Sequence, residues 1–259
     1  MQHSHLQPVR ALVIALHVAA LAAAATCLGA CVVETDDNVA DAPLAEVTTN
    51  GLTMNGLTMN GLSTASLTQN AALVSVLDAS EDARKTFSYV IGCALPKGTD
   101  VVIPALAGQP SYTFSGELGV APAWSHGACG TTCQGAVSAC VLARVNALGQ
   151  HVSISLRGNA DGLSVTPAER AAYTHREATY FGNVFSSVQR LYACRTATDD
   201  QALIGRVCGQ GANVVGCAVT VIGDCDAVCA RRDDTDGYYS DCHAPGDSTF
   251  PRAVTVFRN

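Results

Sequence analysis

Charge is scarce in this chain. Only 14% of its 259 residues are charged, and the balance is acidic, with a net charge of −7. The basic residues are scattered, so no patch answers a phosphate backbone, and nucleic acid is excluded as a partner. No Gly-rich phosphate loop and no His-Glu-x-x-His motif occurs, which removes the usual nucleotide and zinc-peptidase chemistries. Long hydrophobic runs are also missing. The uncharged apolar stretch Ala11 to Thr26 is short for a membrane span, and small residues follow it rather than a stop-transfer cluster.

The chain does contain twelve cysteines and an organised N-terminus. Arg10 is the only Lys, Arg, Asp or Glu among the first thirty residues, and the apolar run after it ends in small residues. A basic start, a short apolar centre and a small-residue exit describe a secretory signal. The exit, Leu28-Gly29-Ala30-Cys31, resembles the lipobox of bacterial lipoproteins. That resemblance implies cleavage after Ala30 and a diacylglyceryl group on the Cys31 thiol. Each buried acyl methylene contributes ~0.8 kcal/mol, so such a terminus holds to a bilayer without a transmembrane helix. An ordinary signal cut near Ala25 is the alternative, and Cys27 lacks the branched residue that opens a lipobox. Val32 and Val33 after the cysteine imply the outer membrane.

Residues 31–69 read as a tether. Glu34, Asp36, Asp37, Asp41 and Glu46 face no basic residue between Val32 and Thr49, so the segment has too little apolar surface to offset its ordering entropy. A five-residue repeat follows, centred on Leu52, Leu57, Leu62 and Leu67. It resembles pentapeptide-repeat β-helices but makes barely one coil, whereas solenoids need several stacked coils. A spacer with turn-prone Asn-Gly steps is the expected form, with a coil-like reach of roughly 35 Å.

Residues 70–259 are expected to form one α+β domain with about three helices and a mainly antiparallel sheet, because strands and helices do not alternate as βαβ units. Ser80 caps a helix in which Ala83, Phe87, Val90, Ile91 and Ala94 recur at helical spacing, ending at Pro96. Val101 to Ile103 and Tyr112 to Phe114 read as extended. Thr131-x-x-Gln134 reads as a capping box for a second helix closing at Gly149. Val152, Ile154 and Leu156 alternate with Ser153, Ser155 and Arg157 as a half-buried strand. Thr166-Pro167-Ala168-Glu169 opens a third helix, expected to run to Phe181 and stop at Gly182. Short strands are expected near Tyr192, from Leu203 to Val207, from Cys217 to Ile222 and from Val254 to Phe257.

With Cys27 in the signal and Cys31 lipidated, Cys93, Cys129, Cys133, Cys140, Cys194, Cys208, Cys217, Cys225, Cys229 and Cys242 remain. An even set in an exported protein predicts five disulfides of unspecified connectivity. Helical spacing separates Cys133 from Cys140 by two turns, so these two need different partners. A zinc site at Cys225, Cys229, Cys242 and His243 is the competing use of these thiols.

Three constellations could carry chemistry. On a third helix running through Tyr173, His175, Glu177 and Tyr180, the residues Tyr173, Glu177 and Tyr180 would line a polar groove, and Glu177 or His175 could act as a general acid or base; a solvated helix face is the simpler reading. Cys129 at a helix entrance with the distant His243 faintly resembles a papain-like pair, but the residues that should flank the cysteine are missing. Asp234, Asp236 and Asp241 surround a glycine as calcium ligands do, yet Arg232 stands where an EF-hand needs an acid, and a turn at Asp236-Gly237 is favoured. No cofactor is expected.

Several local patterns belong together: the lipobox, the Asn-Gly-Leu-Thr repeats, Tyr89-x3-Cys93-Ala94-Leu95-Pro96, Cys133-x6-Cys140-x2-Ala143-Arg144-Val145, and Tyr180-Phe181-Gly182-Asn183. This combination resembles a group of uncharacterised myxobacterial lipoproteins along nearly the whole chain. The resemblance implies architecture and location and brings no activity. The expected protein is an envelope lipoprotein, held to the membrane by lipid, whose domain binds a protein or glycan; an envelope hydrolase is the alternative.

Overall fold

Asn70 and Ser80 start the helical part of the molecule. A computed structural model describes residues 39–42, 67–104, 111–145, 152–186, 190–195, 219–231 and 235–259. The Asn70 side chain accepts from the Ala72 and Leu73 amides and opens α1 (Ala71–Ala79). The Ser80 hydroxyl accepts from the Ala83 amide and opens α2 (Glu81–Ala94), as its sequence position predicts. Leu67, the centre of the fourth repeat, is buried with Leu73 and Leu77. The core therefore begins three residues earlier than composition suggests; residues 43–66 lie outside the described part of the chain.

Strands β2 (Asp100–Ile103) and β3 (Tyr112–Ser115) pair antiparallel. Phe114 meets Phe87 of α2 edge-on, with ring centroids 4.7 Å apart. The short 3-10 turn Pro122–Ser125 then buries Trp124 and leads into α3 (Thr131–Arg144), which is joined to α2 by the Cys93–Cys140 disulfide.

The main sheet has the order β1-β4-β12-β5-β6-β7. Its strands are β1 (Val39–Ala42), β4 (Val152–Gly158), β5 (His175–Asn183), β6 (Arg190–Arg195), β7 (Thr220–Asp224) and β12 (Ala253–Arg258). All neighbours are antiparallel except β6 and β7. Helix α3 packs on β5 and β12. Beneath it, Ile154, Leu156, Ala178, Tyr180, Val254 and Val256 join the main core.

The other face supports a smaller core of Phe181, Cys194, Cys225, Tyr239 and Cys242. It lies under α5 (Cys225–Val228) and the short strands β8 (Ala230–Arg231), β9 (Tyr239–Ser240), β10 (Cys242–His243) and β11 (Thr249–Phe250). Phe181, Tyr192 and Phe250 form a triangle with ring centroids 5.7 Å apart on each side. Disulfide Cys194–Cys225 ties this layer to β6 of the sheet, and Cys229–Cys242 closes the layer on itself. The described residues thus show the α+β, mainly antiparallel, disulfide-stapled architecture, with five helices rather than about three.

Several local expectations are corrected. The third helix, α4, spans only Pro167–Ala172; the Thr166 hydroxyl caps it by accepting from the Glu169 amide, as predicted. The continuation to Phe181 is strand β5. A central strand covered on both faces is apolar without alternation, so periodicity could not separate it from a helix. Strand β4 is likewise covered on both sides: Ser155 and Arg157 are as inaccessible as Ile154 and Leu156. Helix α3 ends at Arg144 rather than Gly149, and its N-cap is Gly130 rather than Thr131. Gln134, expected to complete a capping box, instead donates to the Cys129 carbonyl and accepts from Asn183. Residues 39–42, within the acidic segment read as a tether, form β1, which extends the open edge of β4.

Candidate functional site

A concavity among the described residues lies where α3 begins and β5 ends. It is a cleft of about 460 Å³, within the size range of small-molecule sites. Thr131, Thr132 and Gly135 from the start of α3 form one wall. Gly182, Asn183 and Ser186 lie at the base, beside Arg190 at the start of β6. The opposite wall runs from Ser248 through Thr249 and Phe250 to Arg252.

Each wall is fixed from behind. Asn183 donates to Gln134 Oε1 at 3.1 Å, and its own Oδ1 accepts from the Phe185 amide at 2.8 Å. Ser138, buried in α3, accepts from the Val184 amide at 3.0 Å. Asp247 holds the far wall: Tyr192 donates to its Oδ2 at 2.6 Å, and Arg190 pairs with its Oδ1. The hydrogen bond to Asp247, with some burial, raises the Tyr192 pKa. Arg252 donates to the Asn159 carbonyl, and Asn159 returns a bond to the Pro251 carbonyl. The cleft therefore offers hydroxyls, an amide, two anchored guanidinium groups and the Phe250 ring on a rigid frame.

The residues singled out by sequence do not line it. His175 opens β5 opposite Arg258, and fully buried Glu177 sits at the irregularity where β5 and β12 shift register. Arg258 Nε lies 4.0 Å from Glu177 Oε2. Because residues 175–183 form a strand, the helical groove of Tyr173, Glu177 and Tyr180 does not form. Cys129 is bonded to Cys133, and His243 contacts Thr249 Oγ1 at 3.1 Å, so the papain-like pair is not assembled. Cys225, Cys229 and Cys242 are all in disulfides, which rules out the zinc set. Cys208 and Cys217 lie outside the described residues.

Of the proposed calcium ligands, Asp234 lies outside the described residues. Asp236 Oδ1 accepts from Arg170 Nε and Nη2 at 3.0 and 2.6 Å. Asp241 has a left-handed backbone, φ 50°, and accepts from the Ser240 hydroxyl. No three His, Cys, Asp or Glu side chains gather as metal ligands among the described residues.

Sequence reading missed the use made of Arg157. Its guanidinium lies 3.7 Å from the Phe257 ring centroid and donates to the Tyr173 and Asp236 carbonyls at 2.5 and 3.1 Å. Burial lowers its pKa, while the charges of Glu169 and Asp236 oppose that shift. The only sequence signal was an arginine on the polar side of a strand, which normally means solvent. Here it joins the 235–239 loop to the sheet.

An ion pair between a buried arginine and an exposed glutamate stands behind α2. Arg144, 5% exposed, reaches Glu117 Oε2 at 2.6 Å and lies over the Tyr89 ring at 5.4 Å. Tyr89 is 5% exposed, and burial pushes its phenol up to about 12. Below pH 10 both folded and unfolded forms keep this proton. Between pH 10 and 12 the unfolded chain loses it first, so stability should fall by up to ~2–3 kcal/mol. Urea unfolding at pH 9 and pH 11 should show a smaller alkaline loss in Tyr89→Phe than in the native chain; equal losses would place the effect on other tyrosines.

No family model, curated protein or solved structure matches the chain.

Proposed function

We propose that this protein is an exported lipoprotein of the cell envelope, anchored in the outer membrane through acyl chains on Cys31, whose domain is a non-catalytic binding module for an envelope glycan. The 460 Å³ cleft carries the binding reading. Its hydroxyl and amide groups match the donors and acceptors of a sugar, and Phe250 offers an apolar face for a pyranose ring. The four disulfides among the described residues suit an oxidising compartment. The signal-like N-terminus and Leu28-Gly29-Ala30-Cys31 support lipidation. Resemblance to the myxobacterial lipoproteins supports the same architecture.

Titration calorimetry with soluble peptidoglycan strands and lipopolysaccharide core oligosaccharide tests the ligand class. One of them should bind, and Arg190→Ala or Thr249→Ala should weaken it at least about tenfold, the scale of one or two lost hydrogen bonds. Absence of binding, or binding indifferent to both changes, sinks the glycan reading; a protein captured at the same cleft would replace it. The anchor has its own test. Intact-mass analysis of detergent-extracted protein should show a mature chain starting at Cys31 plus lipid, and Cys31→Ser should release the protein from the membrane fraction. An unmodified chain starting elsewhere overturns the localisation.

A further inference from the structure

We infer that Cys129–Cys133 is a redox-active disulfide, able to take two electrons from a cysteine pair of a partner polypeptide. This activity lies outside the proposed binding function. Of the four disulfides among the described residues, it closes the shortest loop: its cysteines are 4 residues apart, against 13, 31 and 47 for the others. Loop closure restrains the unfolded chain less as the loop shortens, so this bond adds least to the fold and is the easiest to open without unfolding it.

Its surroundings differ as well. Both sulfurs of Cys93–Cys140 belong to fully buried residues. Cys129 is buried too, but Cys133 is half-buried and lines a hollow of about 150 Å³ with Pro122, Trp124 and Arg252. That hollow, mostly apolar with Asp161 and Arg252 at its edge, has room for one side chain of a partner polypeptide beside the sulfur. Cys133 also lies in the first turn of α3, where Gly130 supplies no capping side chain. Unsatisfied amides and the helix dipole there favour a thiolate, which makes Cys133 a good leaving group.

The exchange balances without another reagent. A thiolate of the partner attacks Cys133 Sγ, the Cys129–Cys133 bond breaks, and Cys129 leaves as a thiolate that takes a proton from water. The partner's second thiolate then attacks the partner sulfur of the mixed disulfide. A partner disulfide forms and Cys133 departs as a thiolate. The partner is oxidised by two electrons and the Cys129–Cys133 pair is reduced by two.

Graded glutathione buffers, acid quenching and differential alkylation of the full mature protein test this. Cys129 and Cys133 should become half-reduced in buffers at least about tenfold more oxidising than those that open Cys93–Cys140, Cys194–Cys225 or Cys229–Cys242, with unchanged far-ultraviolet dichroism. Opening of all four pairs together, or only with loss of structure, overturns the proposal. A second arm uses reduced, unfolded ribonuclease as the dithiol probe. The native protein should lose its Cys129–Cys133 bond as the probe gains one, and Cys133→Ser should abolish that transfer. Exchange with glutathione but not with the probe overturns the polypeptide substrate class. Cys129→Ser should acquire one glutathione at Cys133 from oxidised glutathione, and a folded variant that remains unmodified also overturns the proposal.

Discussion

Complete reduction of the mature protein should lower its thermal unfolding midpoint by roughly 15–25 °C. The chain-entropy relation assigns ~4 kcal/mol to Cys93–Cys140, which spans 47 residues, and ~2 kcal/mol to Cys129–Cys133, which spans 4. The two other bonds among the described residues, spanning 31 and 13 residues, fall at ~3–4 kcal/mol each. Their nominal sum is comparable to the whole stability of an ordinary domain, about 5–15 kcal/mol. Such contributions are not additive, and about half the sum already gives the expected shift at roughly 2–4 °C per kcal/mol. Calorimetry with and without a phosphine reductant checks it. Chelator should leave the midpoint unchanged; a drop with chelator and none with reductant would restore a metal-held fold. The double variant Cys93→Ala/Cys140→Ala should reproduce much of the loss, and Cys129→Ala/Cys133→Ala much less.

Gly182→Ala is expected to be the most damaging single methyl addition at the cleft. Gly182 has φ 137°, and a Cβ there would stand 1.9 Å from the Arg190 carbonyl oxygen, across the β5–β6 pair. Relief requires that β6 move from β5 or that the backbone leave its present conformation. The expected cost is ~3 kcal/mol or more, since strain and broken sheet pairing add. Because β6 also carries Arg190, glycan affinity should fall with stability. Chemical unfolding checks the first effect and calorimetry with the glycan checks the second. A variant within about 0.5 kcal/mol of the native chain would mean that the strand ends there have more freedom than this packing allows.

Local signals in the sequence did well where one side chain closes one helix end. Ser80 and Thr166 cap the helices predicted for them, and β12 falls on Val254 to Phe257. Spacing also separated Cys133 from Cys140 correctly, and they bond Cys129 and Cys93 respectively. The failures share a cause: burial from two sides. Residues 175–183 look like a helix face because α3 covers Tyr180 while the disulfide-linked layer covers Phe181. Arg157 looks like a solvent-facing residue because nothing local announces that the 235–239 loop returns to cover it.

The cleft was the least legible feature. Its walls come from residues near 131, 183, 190 and 250, and none of these stretches has a recognisable motif for binding. What brings them together is strand order: β12 returns between β4 and β5 and carries the chain end past the start of α3. A contact made by topology leaves no spacing rule in the sequence. That the cysteines pair was accessible from composition, and eight of the ten do so among the described residues, whereas which bonds which followed only from the fold.

Within the C-terminal layer, Cys194 Sγ lies 3.7 Å from Cys229 Sγ, although each is bonded to a different cysteine. Sulfurs from separate bridges that touch in the native state can exchange partners whenever one bridge is briefly opened by a thiol. Material produced in a reducing cytoplasm and oxidised afterwards should therefore contain a topological isomer confined to these four cysteines. Its mass would equal that of the native protein, so intact-mass quality control would pass it. Peptide mapping across Cys194, Cys225, Cys229 and Cys242 is the assay that tells the two preparations apart.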